Sequence, residues 1–330
     1  MNKSTPGPKL PFGVSAYYRS LSGIEDPNLD PIAAQFSPRS EEAQRLPYET
    51  DDPIGDAAYA VTRRLVHHYH DRALLLVSDR CATYCRHCFR RHFTGNSSGR
   101  INATELEEAA DYIRDHKEIT EVLLSGGDPL MLADEELREI MSRLREVREE
   151  LMFRICSRVP VVLPKRITPP LAKLLGSFRP LWFVTQTNHP AEITPEFRAA
   201  VDRLLAAGVT TVNQSVLLRR VNDDEEILHR LFRQLLNAGV KPYYLFQGDL
   251  AAGTAHFRVP IERGLELMRN LRLRLSGLAL PTYAVDLPEG GGKVPIESSL
   301  LRVEQDAYVF RGPDGKEYRY PREVDGYHRR

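Results

Sequence analysis

The sequence lacks the features that mark nucleic-acid-binding proteins, membrane proteins and disulfide-rich secreted proteins. Its 45 Lys and Arg residues balance 45 Asp and Glu residues, so no basic excess favours nucleic acid as a partner. No apolar run is long enough to span a bilayer, and the first residues contain no apolar signal-peptide core. Only four cysteines occur in 330 residues, and three of them are clustered, which does not indicate a disulfide framework. We therefore expect a cytoplasmic protein without a membrane or nucleic-acid partner, built as one large α/β domain with appendages or as two domains.

From Arg72 onward the chain alternates short apolar runs with amphipathic segments, which predicts strands alternating with helices. The predicted strands span residues 73–77, 121–124, 153–156, 181–184, 210–214 and 242–246. Thr168 and Thr194 each precede a proline, the pattern of an N-cap followed by the first helical residue. Thr104 and Glu107 suggest a capping box for the first of these helices. Six alternations imply parallel strands with right-handed crossovers, in a β/α barrel or a doubly wound sheet.

The alternation divides the chain into three predicted parts. Residues 1–66 are rich in Pro and Asp and weakly periodic, which predicts an irregular or helical N-terminal extension. Residues 67–278 contain the strand–helix core, and residues 279–330 form a C-terminal segment and tail. Polar residues follow the predicted strands, so a β/α barrel would carry its site at the carboxyl ends of the strands.

Three of the four cysteines, Cys81, Cys85 and Cys88, have the spacing Cys-x3-Cys-x2-Cys. Thiolates this close in sequence can bind one metal centre, and three thiolates on a four-iron cluster leave one iron open for a substrate. The alternative is a zinc site with a fourth ligand from His87, Cys156 or a more distant residue. Cys156 itself is most simply interpreted as a buried strand residue. The spacing resembles that of the radical S-adenosylmethionine (SAM) enzymes, in which the open iron binds SAM.

A second motif, Gly290-Gly291-Gly292-Lys293, lies near the C-terminus. It is not a P-loop, because Leu287 stands where the first Walker glycine belongs and Val294 replaces the Ser or Thr. One interpretation is a surface turn with a solvated lysine. The other is a lysine that forms a Schiff base with an aldehyde cofactor.

Together these motifs resemble the lysine 2,3-aminomutase family, radical SAM enzymes that also use pyridoxal 5′-phosphate (PLP). The resemblance covers residues 62–295 and includes Tyr69-His70-Asp71-Arg72, Ser125-Gly126-Gly127-Asp128, Asn188-His189-Pro190, Asn213-Gln214-Ser215 and His256-Phe257-Arg258. It implies an α/β fold, a partial (β/α)6 TIM-like barrel of the radical SAM type with N- and C-terminal extensions. It also implies an isomerase that uses a [4Fe–4S] cluster, SAM and PLP.

The resemblance assigns roles to individual residues. The cluster ligands would be Cys81, Cys85 and Cys88, and the PLP lysine would be Lys293. The residues near the PLP phosphate would be Tyr69 and Arg72. The residues lining the SAM pocket would be His87, Ser125, Gly126 and Gln214. The substrate ligands would be Arg90 for the carboxylate, with Asp249 and Asp286 for the distal amino group. Taken singly, each of these residues also has an ordinary structural interpretation as a core, cap, turn or solvated residue.

The reaction implied is the conversion of a basic L-α-amino acid, L-lysine first, to its β-amino acid. Arginine as the substrate, and the branch that makes β-lysine for modifying elongation factor P, stay open as alternatives. The expected partners are the amino acid and an electron donor of flavodoxin or ferredoxin type, with a homo-oligomer left open. Other classes also stay open: a radical SAM maturase without PLP, and an iron–sulfur sensor. Phe246 stands where the family usually has Tyr, and Gly248 where many members have Cys. The tail lacks cysteine, so we expect no zinc site between subunits.

Overall fold

The central sheet contains nine strands whose spatial order follows their order in the chain. The computed structural model describes residues 10–96, 98–296, 299–305, 307–312 and 314–321. The strands are β1 Leu65–Tyr69, β2 Arg72–Ser78, β3 Glu121–Gly126, β4 Met152–Cys156, β5 Leu181–Thr185, β6 Thr210–Val216, β7 Lys241–Phe246, β8 Thr282–Leu287 and β9 Gly292–Pro295. Strands β2 to β8 run parallel. The edge strands β1 and β9 pair antiparallel with their neighbours, and residues from all nine strands line one cavity. The predicted partial α/β barrel is confirmed.

The helices are α1 Ala16–Ser20, α2 Ala33–Phe36, α3 Ala103–Asp115, α4 Asp134–Val147, α5 Val159–Val162, α6 Pro169–Ser177, α7 Pro195–Ala206, α8 Glu225–Asn237 and α9 Ile261–Arg274. From α3 onward the helices follow the parallel strands as the alternation predicts, while α1 and α2 lie in the N-terminal extension. The two Thr-Pro starts are confirmed, since the Thr168 and Thr194 side chains accept hydrogen bonds from the backbone inside α6 and α7. No helix among the described residues is both long enough and apolar enough to cross a membrane.

The predicted capping box at Thr104 and Glu107 is wrong. Helix α3 begins two residues earlier, with Asn102 as its N-cap. The Asn102 side chain accepts from the Glu105 N–H, and the Glu105 carboxylate accepts from the Asn102 N–H. Asn102 and Thr104 are both favoured N-cap residues with a Glu three residues later. The structure uses Asn102 with Glu105, while the Glu107 carboxylate accepts hydrogen bonds from Arg143 of α4 instead.

Several strands were not predicted. Strand β8 extends the parallel sheet by one strand beyond the six predicted, and β1 and β9 flank it. A separate antiparallel sheet contains β10 Leu300–Val303, β11 Ala307–Arg311 and β12 Glu317–Pro321. Strands β10 and β12 are mostly exposed, and β11 alternates buried with partly buried residues. None of the three carries a long apolar run that would predict it.

The apolar core lies between the outer face of the sheet and the helices. Strand residues such as Leu75 and Phe153 pack with Leu137 of α4 and Leu171 of α6, all fully buried. Each such side chain contributes roughly 1.5–3 kcal/mol by leaving water. Because the helices cover this face, the sheet's inner face and the carboxyl ends of its strands are left for polar side chains, as in other β/α barrels.

Candidate active site

One cavity of about 550 Å³ lies on the inner side of the curled sheet. Every residue that the sequence assigned to the site lines it: Tyr69, Arg72, Cys81, Cys85, His87, Cys88, Arg90, Ser125, Gly126, Gln214, Asp249, Asp286 and Lys293. These side chains come from segments more than 200 residues apart in the chain. The fold therefore brings together the two motifs that the sequence shows separately. The volume of this cavity is typical of a small-molecule site.

The three clustered cysteines lie on the loop between β2 and α3, and all are free thiols. Burial is the main reason that the pKa of the Cys81 and Cys88 thiols is raised, and the neighbouring thiols add to it. The N-terminal extension covers this loop, since the Tyr84 N–H donates to the Gly13 carbonyl. Three thiols in one cavity wall are a suitable donor set for an iron–sulfur cluster with one iron left open.

Gly126 ends strand β3 at the cysteine loop with a φ of +120°. A Cβ there would lie 2.3 Å from the Ser78 carbonyl oxygen, and one at Gly127 would lie 2.5 Å from the Arg80 carbonyl oxygen. The family resemblance places Gly126 in the SAM pocket, where a glycine would let the backbone approach the cofactor closely. The close approach that the structure contains is to the protein's own backbone, so packing of the cysteine loop already requires glycine at both positions.

Lys293 lies on β9 directly opposite Asp286 on β8. Its Nζ is 3.3 Å from the Asp286 Oδ1 and 4.5 Å from the centroid of the Phe246 ring. The Lys293 backbone N–H donates to the Tyr69 hydroxyl at 2.9 Å. The interpretation of this lysine as a solvated residue in a surface turn is therefore wrong, because a β-hairpin holds it against the cavity wall.

Beside this lysine, the side chains suit a phosphorylated aromatic aldehyde. The Arg72 guanidinium lies 3.9 Å from the centroid of the Tyr69 ring. Its one carboxylate partner among the described residues is the neighbouring Asp71, at the surface. An amine for covalent attachment, aromatic faces for a ring and a guanidinium for a phosphate are the groups that PLP requires.

The remaining predicted residues surround the centre of the cavity. His87 is buried, and its Nε2 lies 3.3 Å from the Asn188 Nδ2. Burial, helped by the Arg158 charge, holds the pKa of His87 well below its usual range. Ser125 near the end of β3 and Gln214 on β6 also line the cavity.

Arg90 carries a partner that sequence analysis missed. Its guanidinium Nε and Nη2 donate to one oxygen of Asp56, at 3.1 and 2.8 Å. Asp56 comes from the N-terminal extension, 34 residues earlier, and both side chains are largely buried. A weakly patterned segment gave no signal that could have identified this carboxylate.

Asp249 lies beyond the end of β7 and faces the same space as Asp286. Burial raises the pKa of Asp249 to about 7, and the Asp286 charge adds to the rise, while Lys293 and Arg90 oppose it. The side of the cavity near Lys293 therefore holds two carboxylates, one of which takes up a proton near neutral pH.

Cys156 corrects a further expectation. It does end strand β4, but it is only partly buried and lines the cavity. Burial raises the pKa of its thiol to about 11. A side chain at the carboxyl end of a barrel strand faces the cavity, and the apolar pattern of the strand alone did not predict this.

The comparisons with known proteins agree with this geometry. Residues 75–232 match the radical SAM superfamily. The chain is 42% identical over 307 residues to the L-lysine 2,3-aminomutase of Acetoanaerobium sticklandii, covering 93% of this chain and 74% of that protein. It is also 42% identical to the L-lysine 2,3-aminomutase of Clostridium subterminale, with the same coverage.

The glutamate 2,3-aminomutase of Clostridioides difficile is 39% identical over 308 residues, covering 92% of this chain and 72% of that protein. Among solved structures, a radical SAM methyltransferase from Sphaerobacter thermophilus matches with a TM-score of 0.48 and 19% identity, covering 67% of this chain and 68% of that one. The curated relatives are similar over most of both chains. The chain therefore belongs to the lysine 2,3-aminomutase family, and it is a radical SAM aminomutase, an isomerase of the class that works with a [4Fe–4S] cluster, SAM and PLP.

Proposed function

We propose that this enzyme moves the α-amino group of a basic L-α-amino acid, L-lysine, to the β-carbon. The observation that carries the proposal is the pair of carboxylates, Asp249 and Asp286, in the cavity beside Lys293. Buried carboxylates that face each other are unfavourable unless a cation lies between them. Burial, with the Asp286 charge beside it, raises the pKa of Asp249, and a further cation between the two carboxylates would offset this.

In the cavity without substrate, Lys293 itself supplies a cation to Asp286. A lysine that holds PLP covalently commits its nitrogen to the cofactor and no longer serves as a simple ammonium partner. The distal ammonium of a lysine substrate would then replace Lys293 as the ion-pair partner of Asp286, and Asp249 would be its second carboxylate partner. This exchange of cations favours a diamino acid over an amino acid with a neutral side chain.

The other end of the substrate would be held by Arg90. Asp56 accepts from two of its nitrogens, and a guanidinium has five N–H donors, so donors remain for the α-carboxylate. A substrate bound at both ends has its β-carbon fixed in one place. Such orientation speeds the intended reaction and keeps a radical away from the protein's own side chains.

The cofactors would be held by the residues that the sequence assigned. Cys81, Cys85 and Cys88 would bind the cluster. His87, Ser125, Gly126 and Gln214 would surround SAM. Tyr69 and Arg72 would receive the PLP phosphate, with Lys293 as the covalent anchor. When bound, the cluster and SAM supply the hydrogen-abstracting radical, and PLP carries the migrating amino group.

Related substrates are distinguished by charge and length. Glutamate would place a third carboxylate beside Asp249 and Asp286, which is strongly unfavourable. Arginine also carries a cation that matches carboxylates, but its guanidinium is larger, so it is the second candidate. The elongation factor P branch remains an alternative for the pathway. The cavity position of Asp286, which that branch usually lacks, supports a family member with a complete acidic pair.

We also propose a cytoplasmic location, an electron donor of flavodoxin or ferredoxin type, and the division into residues 1–66, 67–278 and 279–330. The boundaries lie close to the starts of β1 at Leu65 and of β8 at Thr282, and β1, β8 and β9 join the parallel core in one sheet. The donor follows from the need to deliver single electrons to a low-potential cluster. Oligomeric state is best measured directly, by light scattering on the reconstituted enzyme.

The decisive experiment is an anaerobic incubation of the reconstituted enzyme with SAM, PLP, dithionite and one amino acid at a time. L-lysine, L-arginine, L-glutamate and L-alanine form the panel, and mass spectrometry detects the β-isomers. We expect β-lysine as the main product, with the Asp286→Asn enzyme as a matched control that cleaves SAM but makes little β-lysine. A preference for glutamate or alanine would overturn the proposal, and arginine as the best substrate would replace lysine within it.

A further inference from the structure

Arg158, to which the sequence assigns no role, donates a hydrogen bond to a cysteine of the cluster motif. Its guanidinium Nη1 lies 2.7 Å from the Cys85 Sγ. The residue follows strand β4, and its side chain is 7% exposed. A charge-assisted hydrogen bond to sulfur from a buried cation is stronger than one from a neutral donor.

A buried network fixes the position of this guanidinium. The Arg158 Nη2 donates to the Glu192 Oε1 at 2.7 Å and to the Gln35 Oε1 at 2.5 Å. The Tyr18 hydroxyl also accepts from Nη2, at 3.0 Å, and itself donates to Glu192 at 2.6 Å. The Glu192 side chain is fully buried. The guanidinium therefore has partners on the side away from the sulfur as well as at the sulfur.

The backbone of Arg158 is fixed too. Its N–H donates to the Asp128 Oδ2 at 2.9 Å, and the neighbouring Ser157 hydroxyl donates to the Asp128 Oδ1 at 2.7 Å. Asp128 ends the Ser-Gly-Gly-Asp segment that packs against the cysteine loop. Arg158 therefore contacts the cysteine loop directly through its side chain, and indirectly through its backbone, which binds Asp128.

A buried ion pair is a weak source of stability, because desolvation of the two charges offsets their attraction. The network is better explained by what it holds in place at Cys85. Hydrogen bonds to the sulfurs of an iron–sulfur cluster, and the charge around it, set its reduction potential. A cation at a ligand sulfur stabilises the reduced cluster, which carries one more negative charge.

We infer that Arg158 is a positioning residue for the iron–sulfur cluster, which orients the Cys85 sulfur and raises the reduction potential of the cluster. The inference rests on the proposed function, because it takes Cys85 as a cluster ligand. The raised potential matters for this chemistry, since the cluster must accept an electron before SAM is cleaved.

The test measures iron and potential, apart from turnover. Wild type, Arg158→Lys and Arg158→Gln are reconstituted anaerobically, and iron per chain is determined. The midpoint potential follows from a redox titration monitored by electron paramagnetic resonance, without SAM or amino acid. Arg158→Lys keeps a cation for Glu192, so it is the variant that should stay folded. Its single nitrogen does not reproduce the fork that reaches both Cys85 and Glu192.

We expect both variants to bind iron and to show a more negative midpoint potential. For Arg158→Gln, the ratio of reduced to oxidised cluster at a fixed ambient potential should fall about tenfold, equal to a shift of about 59 mV for one electron. Arg154→Gln is the matched control. Arg154 lies on β4 and lines the same cavity, but its partner is Glu121, so the potential should not change.

The outcomes separate this inference from the proposed function. Wild-type protein that binds no iron would refute the cluster itself. Iron-loaded Arg158 variants with the wild-type potential would overturn the inference. If such variants also bind SAM more weakly, Arg158 is a SAM ligand instead. Variants that fold by circular dichroism but lose iron would also overturn the inference, because Arg158 would then be required for cluster binding and not for its potential. Failure of both variants to fold, with Arg154→Gln folded, would make Arg158 structural and overturn the inference.

Discussion

Asp286 and Lys293 face each other across the antiparallel pair β8–β9, and their side chains form an ion pair of 3.3 Å. The hairpin between them includes Glu289 and Gly290, both with positive φ. The tight turn therefore fixes the register that places an acid opposite the lysine. In the proposed function this pairing would join the cofactor site to the substrate site, because a change at either residue alters the charge balance of the other.

Replacement of the anchor lysine should separate PLP binding from SAM chemistry. In Lys293→Ala, borohydride should no longer trap PLP on the chain, because the amine that attaches it is gone. Iron content and slow SAM cleavage should persist, since the cysteine loop is unchanged. Peptide mapping of the wild type should find the trapped cofactor on Lys293, and the exposed Lys165→Ala should trap it normally. Trapping on a different lysine would contradict the assignment.

Three of the four cysteines should be required for iron binding, and the fourth, Cys156, should not. Cys81→Ala, Cys85→Ala and Cys88→Ala should each lose most of the iron after anaerobic reconstitution, because a ligand is missing. Cys156→Ala is the internal control, since its thiol lines the same cavity but lies on β4, away from the loop. Equal iron loss in Cys156→Ala, or zinc as the metal found by elemental analysis, would refute the three-cysteine cluster.

The parallel strands were predictable because each depends on local sequence, whereas the site residues were assigned by the resemblance to a family. A run such as residues 73–77 is apolar because the strand is buried on both faces, and Thr168 caps α6 through its own side chain. The three cysteines of the spaced motif likewise lie on one loop. Where a strand or a helix cap is encoded within one segment, the sequence alone predicted it.

The missed features depend on contacts between distant segments. The Asp56–Arg90 pair, the Arg158–Cys85 hydrogen bond and the position of Cys156 are set by how strands and extensions pack. Strand β9 could not be predicted, because its sequence Gly-Lys-Val-Pro carries no strand pattern and only pairing with β8 makes it a strand.

The acidic pair should control the use of lysine more than the use of SAM. Asp286→Asn and Asp249→Asn keep side-chain shape but each remove one charge. The loss of one partner in a buried charged contact costs roughly 2–5 kcal/mol, so kcat/KM for lysine should fall about 30-fold or more. SAM cleavage without substrate should continue at the wild-type rate in the same assay. Normal lysine turnover by both variants would exclude these carboxylates as substrate ligands.

Binding of lysine should depend on pH through Asp249. Burial raises the pKa of this carboxyl to about 7; of the groups that face it, Asp286 on β8 adds to the rise, while Lys293 on β9 and Arg90 on the cysteine loop lower the pKa. PLP on Lys293 would remove one of these two cations, so cofactor loading would not lower the pKa. Free lysine keeps its side-chain ammonium throughout this range. As the pH falls below about 7, Asp249 takes up a proton and loses its attraction for the ammonium. The Kd for lysine, measured calorimetrically on the cofactor-loaded enzyme, should therefore rise, by up to about tenfold per pH unit.

Without lysine, the stability of the enzyme should fall as the pH rises, whereas lysine binding should strengthen. A carboxyl whose pKa is raised on folding contributes stability below its unfolded pKa, near 4, and loses that contribution as the pH rises through about 7. Between pH 5 and 8 the urea midpoint of the wild type should therefore fall more than that of Asp249→Asn, which has no such proton to lose. Added lysine should reduce the difference, because its ammonium stabilises the ionised carboxylate. An equal pH dependence in Asp249→Asn, for both the Kd of lysine and the urea midpoint, would show that another group titrates in this range.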